Sequence, residues 1–179
     1  MATFEILKMG NPILRKIAGP VKKEEITSNE TKELINKMFA TMEKYEGIGL
    51  AAPQVGISKQ IAIIEVPIES ERYPDEDGSE TFVIFNPSIK VIEEETQSFW
   101  EGCLSIPGIR AMVPRPRKIQ VDYLDQDAKE QSIVLEDFLA TVFQHELDHL
   151  FGKLFVDRVT DTKTLCFEEE FEKMNSELD

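Results

Sequence analysis

The stretch Gln144-His145-Glu146-Leu147-Asp148-His149-Leu150 contains both histidines of this 179-residue chain. Histidine is the side chain best suited to holding a transition metal near neutral pH. Four residues apart on a helix, His145 and His149 project from consecutive turns of one face. Glu146 lies between them and can reach a water on the same metal. This is the His-Glu-x-x-His pattern of metal-dependent hydrolases, in which the imidazoles ligate and the Glu is the general base. The reading requires a helix, and Glu136 to Phe151 is expected to be one. Its acidic first turn suits a helix N-terminus, and Gly152 is a natural stop. Phe138, Leu139, Val142, Phe143, Leu147 and Leu150 put apolar positions on more than one face, so the helix is expected to be buried.

Working outward, Thr27 to Glu30 resembles a capping box with Thr27 as the cap. Leu34, Ile35, Met38, Phe39 and Met42 follow at helical spacing, giving an amphipathic helix from Asn29 to Glu46. Gly47 to Gly56 is too rich in Gly and Pro for a regular element. Gln60 to Val66 reads as a buried strand, and Pro67 to Glu80 as an exposed acidic loop. Phe82 to Phe85, Ile89 to Glu93 and Gln97 to Trp100 are short strands, interrupted by the small-residue segment Glu101 to Gly108. Lys118 to Leu124 and Gln131 to Leu135 flank a polar turn and form a hairpin. Asp161 to Leu178 is expected to be an exposed acidic helix. Strands with helices set apart from them predict an α+β fold, mostly antiparallel sheet around the buried metal-binding helix. The length suggests one domain spanning 1–179, since domains commonly run about 100–200 residues.

The formal net charge of −14 excludes a general nucleic-acid binder and disfavours anionic membranes. No apolar run approaches the roughly 18 residues of a membrane span, and no membrane partner is expected. The first residues lack the character of a signal or transit peptide. Two cysteines, Cys103 and Cys166, allow one disulfide but make no secreted-type framework.

A catalytic metal site takes about three protein ligands and one open position. With both histidines used, the third is a cysteine or a carboxylate. Glu168, Glu169 and Glu170 are placed as downstream ligands, as in some zinc peptidases, although a charge run is usually a solvated face. Cys103 sits in Glu101-Gly102-Cys103-Leu104-Ser105-Ile106-Pro107-Gly108, whose glycines and proline imply a shaped backbone. A free cysteine is usually a small buried apolar residue, but context favours Cys103. A metal-stabilised binding module is the non-enzymatic rival.

Three segments carry a resemblance. Gly47-Ile48-Gly49-Leu50-Ala51-Ala52-Pro53-Gln54, Glu101 to Ser105 and Gln144 to His149 resemble, in order and separation, the three signature motifs of the peptide deformylases. Gly10 to Arg15 and Gly152 to Arg158 add to it, so the likeness covers residues 5 to 160. The resemblance implies an enzyme that removes the formyl group from the N-terminal formyl-methionine of new polypeptides, releasing formate. It implies Cys103, His145 and His149 as ligands of one divalent ion, iron(II) in the cell, with zinc, nickel or cobalt as substitutes. It implies Glu146 as the acid/base, taking a proton from the attacking water and returning it to the leaving amine. The Gln54 side-chain amide and the Leu104 backbone N–H would meet the developing oxyanion.

Ile48, Gly49, Gly102 and Arg110 would contact the substrate, the Gly49 segment by strand-like pairing. Phe138, Thr141 and Val142 would help line a pocket for the methionine side chain. Asp148 is assigned a buried pairing with an arginine, and Trp100 a place in the core. The implied partners are formylmethionyl nascent peptides and, transiently, the ribosome; the implied location is the bacterial cytoplasm. One departure counts against ribosome docking. Some members end in a basic helix, whereas Asp161 to Asp179 here is strongly acidic.

Overall fold

The computed structural model describes residues 2–68 and 78–176. A short helix α1 (Lys23–Ile26) precedes α2 (Asn29–Lys44), followed by β1 (Gly49–Ala51), β2 (Ile61–Ile68), β3 (Gly78–Cys103), β4 (Ile106–Leu124), β5 (Glu130–Glu136), α3 (Asp137–Leu150), β6 (Cys166–Phe167) and α4 (Glu168–Ser176). The fold is α+β. Strands β1 to β5 pair in chain order, all antiparallel, and β6 joins β4.

The β2 strand explains the layering. Ile61, Ala62, Ile63 and Ile64 are all fully buried. Alternate residues of a strand face opposite sides, so both faces of β2 are covered. Ile61 and Ile63 pack with Ile35, Met38 and Met42 of α2. Ala62 and Ile64 pack with Phe143, Leu147 and Leu150 of α3. The sheet therefore lies between the two helices, and α3 is buried from Ala140 to Leu150. Gly152 ends it with φ 71°. A Cβ there would lie 2.6 Å from the Arg15 carbonyl oxygen, so both conformation and space require glycine.

Several expectations are corrected. Ser28, not Thr27, caps α2, its hydroxyl accepting from the Thr31 N–H at 3.2 Å. The 47–56 segment is not wholly irregular, since it contains β1 and a 3-10 turn at Ala52–Val55. The three short strands are one strand, β3, with register shifts at Phe85/Ser88 and Val91/Glu93. Asn86, at φ 49°, makes the first break. Its side chain accepts from the Val21 N–H at 2.8 Å and donates to the Val21 carbonyl at 2.7 Å. The interruption at Glu101–Gly108 shrinks to a turn between Cys103 and Ile106. Of the expected 67–80 loop, residues 67, 68 and 78–80 belong to paired strands; 69–77 lie outside the described residues. The expected 161–178 helix begins only at Glu168.

Candidate metal centre and cleft

Buried polar groups need partners, because losing water without compensation costs about 1–3 kcal/mol each. Helix α3 buries Gln144, His145, Glu146, Asp148 and His149, so its polar face dictates what surrounds it. Asp148 accepts from Arg115 at 2.8 Å and from Arg158 at 2.7 and 3.1 Å. Arg115, 2% exposed, also holds both carboxylate oxygens of Glu101, at 2.6 and 2.9 Å. Glu101 Oε2 lies 2.7 Å from His145 Nδ1. The Nδ1 nitrogen is thereby committed to the carboxylate, which leaves His145 Nε2 for the opposite side of the ring.

On that side the end of β3 brings in Cys103. Its Sγ is 3.4 Å from His149 Nε2. One ligand atom each of Cys103, His145 and His149 lie within 4.8 Å of one another, the only such group of three potential metal-binding side chains among the described residues. Glu169 and Glu170 are exposed and Glu168 is bound to Arg110, so the acidic run does not join the histidines. Both cysteines are free.

A thiolate and two imidazoles suit a divalent transition ion. The electrostatics agree. Burial alone would raise the Cys103 thiol, but the His149 and His145 rings outweigh it and hold the thiol well below its ordinary range. Burial opposes charge on His145 as well, yet Cys103 and Glu101 raise it well above its usual value. Metal binding to such a pair displaces the imidazole proton. Glu146 is raised by burial despite the pull of both histidines. Its Oε2, like Thr141 Oγ1 and His149 Nδ1, is buried with no partner among the described residues.

Gln54 is 2% exposed. Its Oε1 accepts the Ala51 N–H at 2.8 Å, which orients the amide. The Nε2 group then faces Ser105 Oγ at 3.2 Å and Cys103 Sγ at 3.6 Å. Leu104 follows Cys103 in the turn, and its carbonyl accepts from Lys8 Nζ at 2.8 Å.

Strand β1 is the sheet edge. The Glu65 N–H donates to the Ile48 carbonyl at 2.8 Å, so Ile48 is in a hydrogen-bonded pair and Gly49, opposite Ile64, is not. Alternation in an antiparallel ladder points the Gly49 N–H and C=O to the open edge. A Cβ at Gly49 would sit 2.5 Å from Glu146 Cγ, Cδ and Oε1. Glycine lets this backbone lie directly against the carboxylate.

These groups meet in a cleft of about 690 Å³, whose walls include Ile48, Gly49, Gln54, Gly102, Cys103, Leu104, Arg110, Thr141, Val142, His145 and Glu146. One expected core residue is corrected: Trp100 is only partly buried and lines the cleft. Phe138, expected at the pocket for the methionine side chain, is on the cleft wall and 49% exposed. Sequence reasoning missed Glu101, Arg115 and Lys8. Glu101 had a signal, since it stands two residues before Cys103 in the same small-residue segment.

Comparison with known proteins accords with this geometry. Residues 3–165 match the family model described as "Polypeptide deformylase". The peptide deformylase of Leptospira biflexa is 42% identical over 179 residues, all of both chains. Peptide deformylase 2 of Pseudomonas syringae is 43% identical over 162 residues, 90% of each. Among solved structures, the Met-Ala-Ser-bound class I type b peptide deformylase of Acinetobacter baumannii aligns with TM-score 0.79 and 40% identity, covering 88% of this chain and 99% of that one. The actinonin complex of the Synechococcus elongatus enzyme aligns with TM-score 0.78 and 38% identity, covering 90% and 81%. The family match spans nearly the whole chain, and the protein belongs to the peptide deformylases.

Proposed function

We propose that this chain hydrolyses the N-formyl group of formylmethionyl nascent peptides, with Cys103, His145 and His149 holding one divalent ion and Glu146 moving the proton. The observation that carries the reading is the convergence of those three side chains beside an unpartnered, buried Glu146 carboxylate. The bound ion would supply Lewis acidity and lower the pKa of a water, and iron(II) is the proposed native metal, with zinc, nickel or cobalt as alternatives.

Every other part belongs to the chain. The open edge at Gly49 would take the peptide backbone as an added strand, and the exposed Ile48 side chain would lie beside it. The A. baumannii relative described as Met-Ala-Ser bound, a peptide of the kind left after formate departs, supports a peptide ligand for this chain. Val142, Thr141 and Phe138 would receive the methionine side chain, with Gly102 and Arg110 on the facing wall. Glu146, raised by burial, would accept the water proton and deliver it to the departing amine. The Gln54 Nε2 group and the Leu104 N–H would donate to the oxyanion, a contribution of about 3–4 kcal/mol per well-placed donor. Glu101 fixes the His145 tautomer, and Arg115 fixes Glu101.

We place the reaction in the bacterial cytoplasm, within one catalytic domain. No helix among the described residues is long and apolar enough to cross a membrane. Any transient ribosome contact would use a surface other than α4, whose first turn is Glu168, Glu169 and Glu170, because like charge repels the RNA backbone. Incubation with formyl-Met-Ala-Ser tests the reading. It predicts formate plus intact Met-Ala-Ser, with metal binding and release both lost in Cys103→Ser and kept in Glu169→Ala. Peptide-bond cleavage without formate would instead favour a peptidase.

A further inference from the structure

The family match ends at residue 165, but the described chain continues as β6 and α4. No residue of α4 is buried, so this segment adds little to the core. It nevertheless makes specific contacts with the cleft wall. β6 pairs Phe167 with Ile109 and Cys166 with Arg110. Arg110 donates through Nε to Glu168 Oε1 at 2.9 Å and makes a second, closer contact through Nη2. The same guanidinium lies against Gly102, where a Cβ would come within 2.8 Å of Nη1. Phe171 packs 5.0 Å from Trp100, ring centre to ring centre. Trp100, Gly102, Arg110 and Glu168 all line the cleft.

We propose that Glu168 is a specificity-determining residue of the deformylase reaction, neutralising Arg110 at the cleft wall so that acidic and basic residues following formyl-methionine are accepted with similar efficiency. The proposal rests on the function proposed above. Gly102 adjoins the ligand Cys103, so the ion pair lies near the reacting end of the peptide. An extended chain advances about 3.3 Å per residue, which brings the second and third residues past this wall. The other exposed charges on the lining, Lys8 and Glu46, have opposite signs, so Glu168 decides the balance. Without it, a positive Arg110 would attract acidic side chains and repel basic ones.

The test compares kcat/KM for formyl-Met-Ala-Asp-amide and formyl-Met-Ala-Lys-amide with the metal-loaded full chain. Glu168→Gln should raise the acidic-to-basic ratio about two- to fivefold, the range of a solvent-accessible charge pair. The change should shrink in high salt. Arg110→Gln should move the ratio the opposite way. A merely structural role would slow both peptides together. An unchanged ratio in both variants, with formate released from both peptides, overturns the inference. No formate from either peptide with the parent chain overturns the deformylase reading and this inference with it.

Discussion

Removal of the Glu101 carboxylate should separate metal binding from folding. In Glu101→Ala, His145 loses the 2.7 Å contact at Nδ1 and Arg115 loses contacts of 2.6 and 2.9 Å. Arg115 would stay buried with only Asp148, which it shares with Arg158. Breaking a buried ion pair by deleting one partner costs about 3–5 kcal/mol, a large part of a domain's typical ~5–15 kcal/mol. Loss of the carboxylate behind a ligating imidazole typically weakens metal affinity about 10- to 100-fold. Glu101→Gln distinguishes the two effects. Its amide oxygen can still accept from His145, but its NH2 must face the donors of Arg115. It should therefore lose about as much stability as the alanine variant while keeping cobalt(II) affinity within a few-fold of the parent. Urea unfolding of metal-free protein and cobalt(II) titration against a competing chelator give the two numbers. Parental cobalt affinity in Glu101→Ala, or an equal loss in both variants, would refute the reasoning.

Three further outcomes are expected. Gly49→Ala forces a methyl within 2.5 Å of the Glu146 carboxylate; it should cost about 1–3 kcal/mol as an overpacked core site and lower formate release at least tenfold, and parental activity would rule out the close approach. Gln54→Ala should lower kcat about 10²- to 10³-fold with little change in KM, as for loss of an oxyanion donor; a change in KM alone would remove Gln54 from that role. Burial opposes the charge on Glu101 and Asp148, but Arg115 and His145 around the first, and Arg158 and Arg115 around the second, hold both below their ordinary 4.5 and 3.8. In the unfolded chain these carboxyls regain those values, so their stabilisation is full above about pH 4.5 and is lost as pH falls through the lower folded values. Arg115→Met should flatten that acid limb in urea unfolding; an unaltered pH profile would show that the arginine does not sustain the shifts.

The parts of the molecule legible in the sequence are those written locally. The helix expected at Glu136–Phe151 is found at Asp137–Leu150, because its apolar pattern and glycine stop are local signals. The histidine pair needed nothing beyond that helix. Cys103 was reachable because two candidate ligands called for a third and its segment carried the family resemblance, whereas its approach to His149 is a contact between distant segments. Arg115 carried no such signal, since it lies between Pro114 and Pro116, residues that argue against a strand interior. The structure accommodates them because β5 pairs only with Lys118–Leu124 of β4. Near 114–116 helix α3 rather than a strand meets this edge, Gln144 Nε2 donating to the Pro116 carbonyl at 3.0 Å, so no ladder bond there needs a proline N–H. The C-terminal helix was expected too long because pairing of Cys166 and Phe167 with β4 overrides local helical preference.

The central claim is that Glu146 moves the proton at a metal held by Cys103, His145 and His149. Formate release from formyl-Met-Ala-Ser should be compared between the parent chain and Glu146→Gln, both loaded with iron(II) without oxygen and assayed for bound metal. The account predicts equal metal content and a rate about 10²- to 10⁴-fold lower in the variant, the usual contribution of a general acid/base. Parental turnover in Glu146→Gln at equal metal content would contradict it.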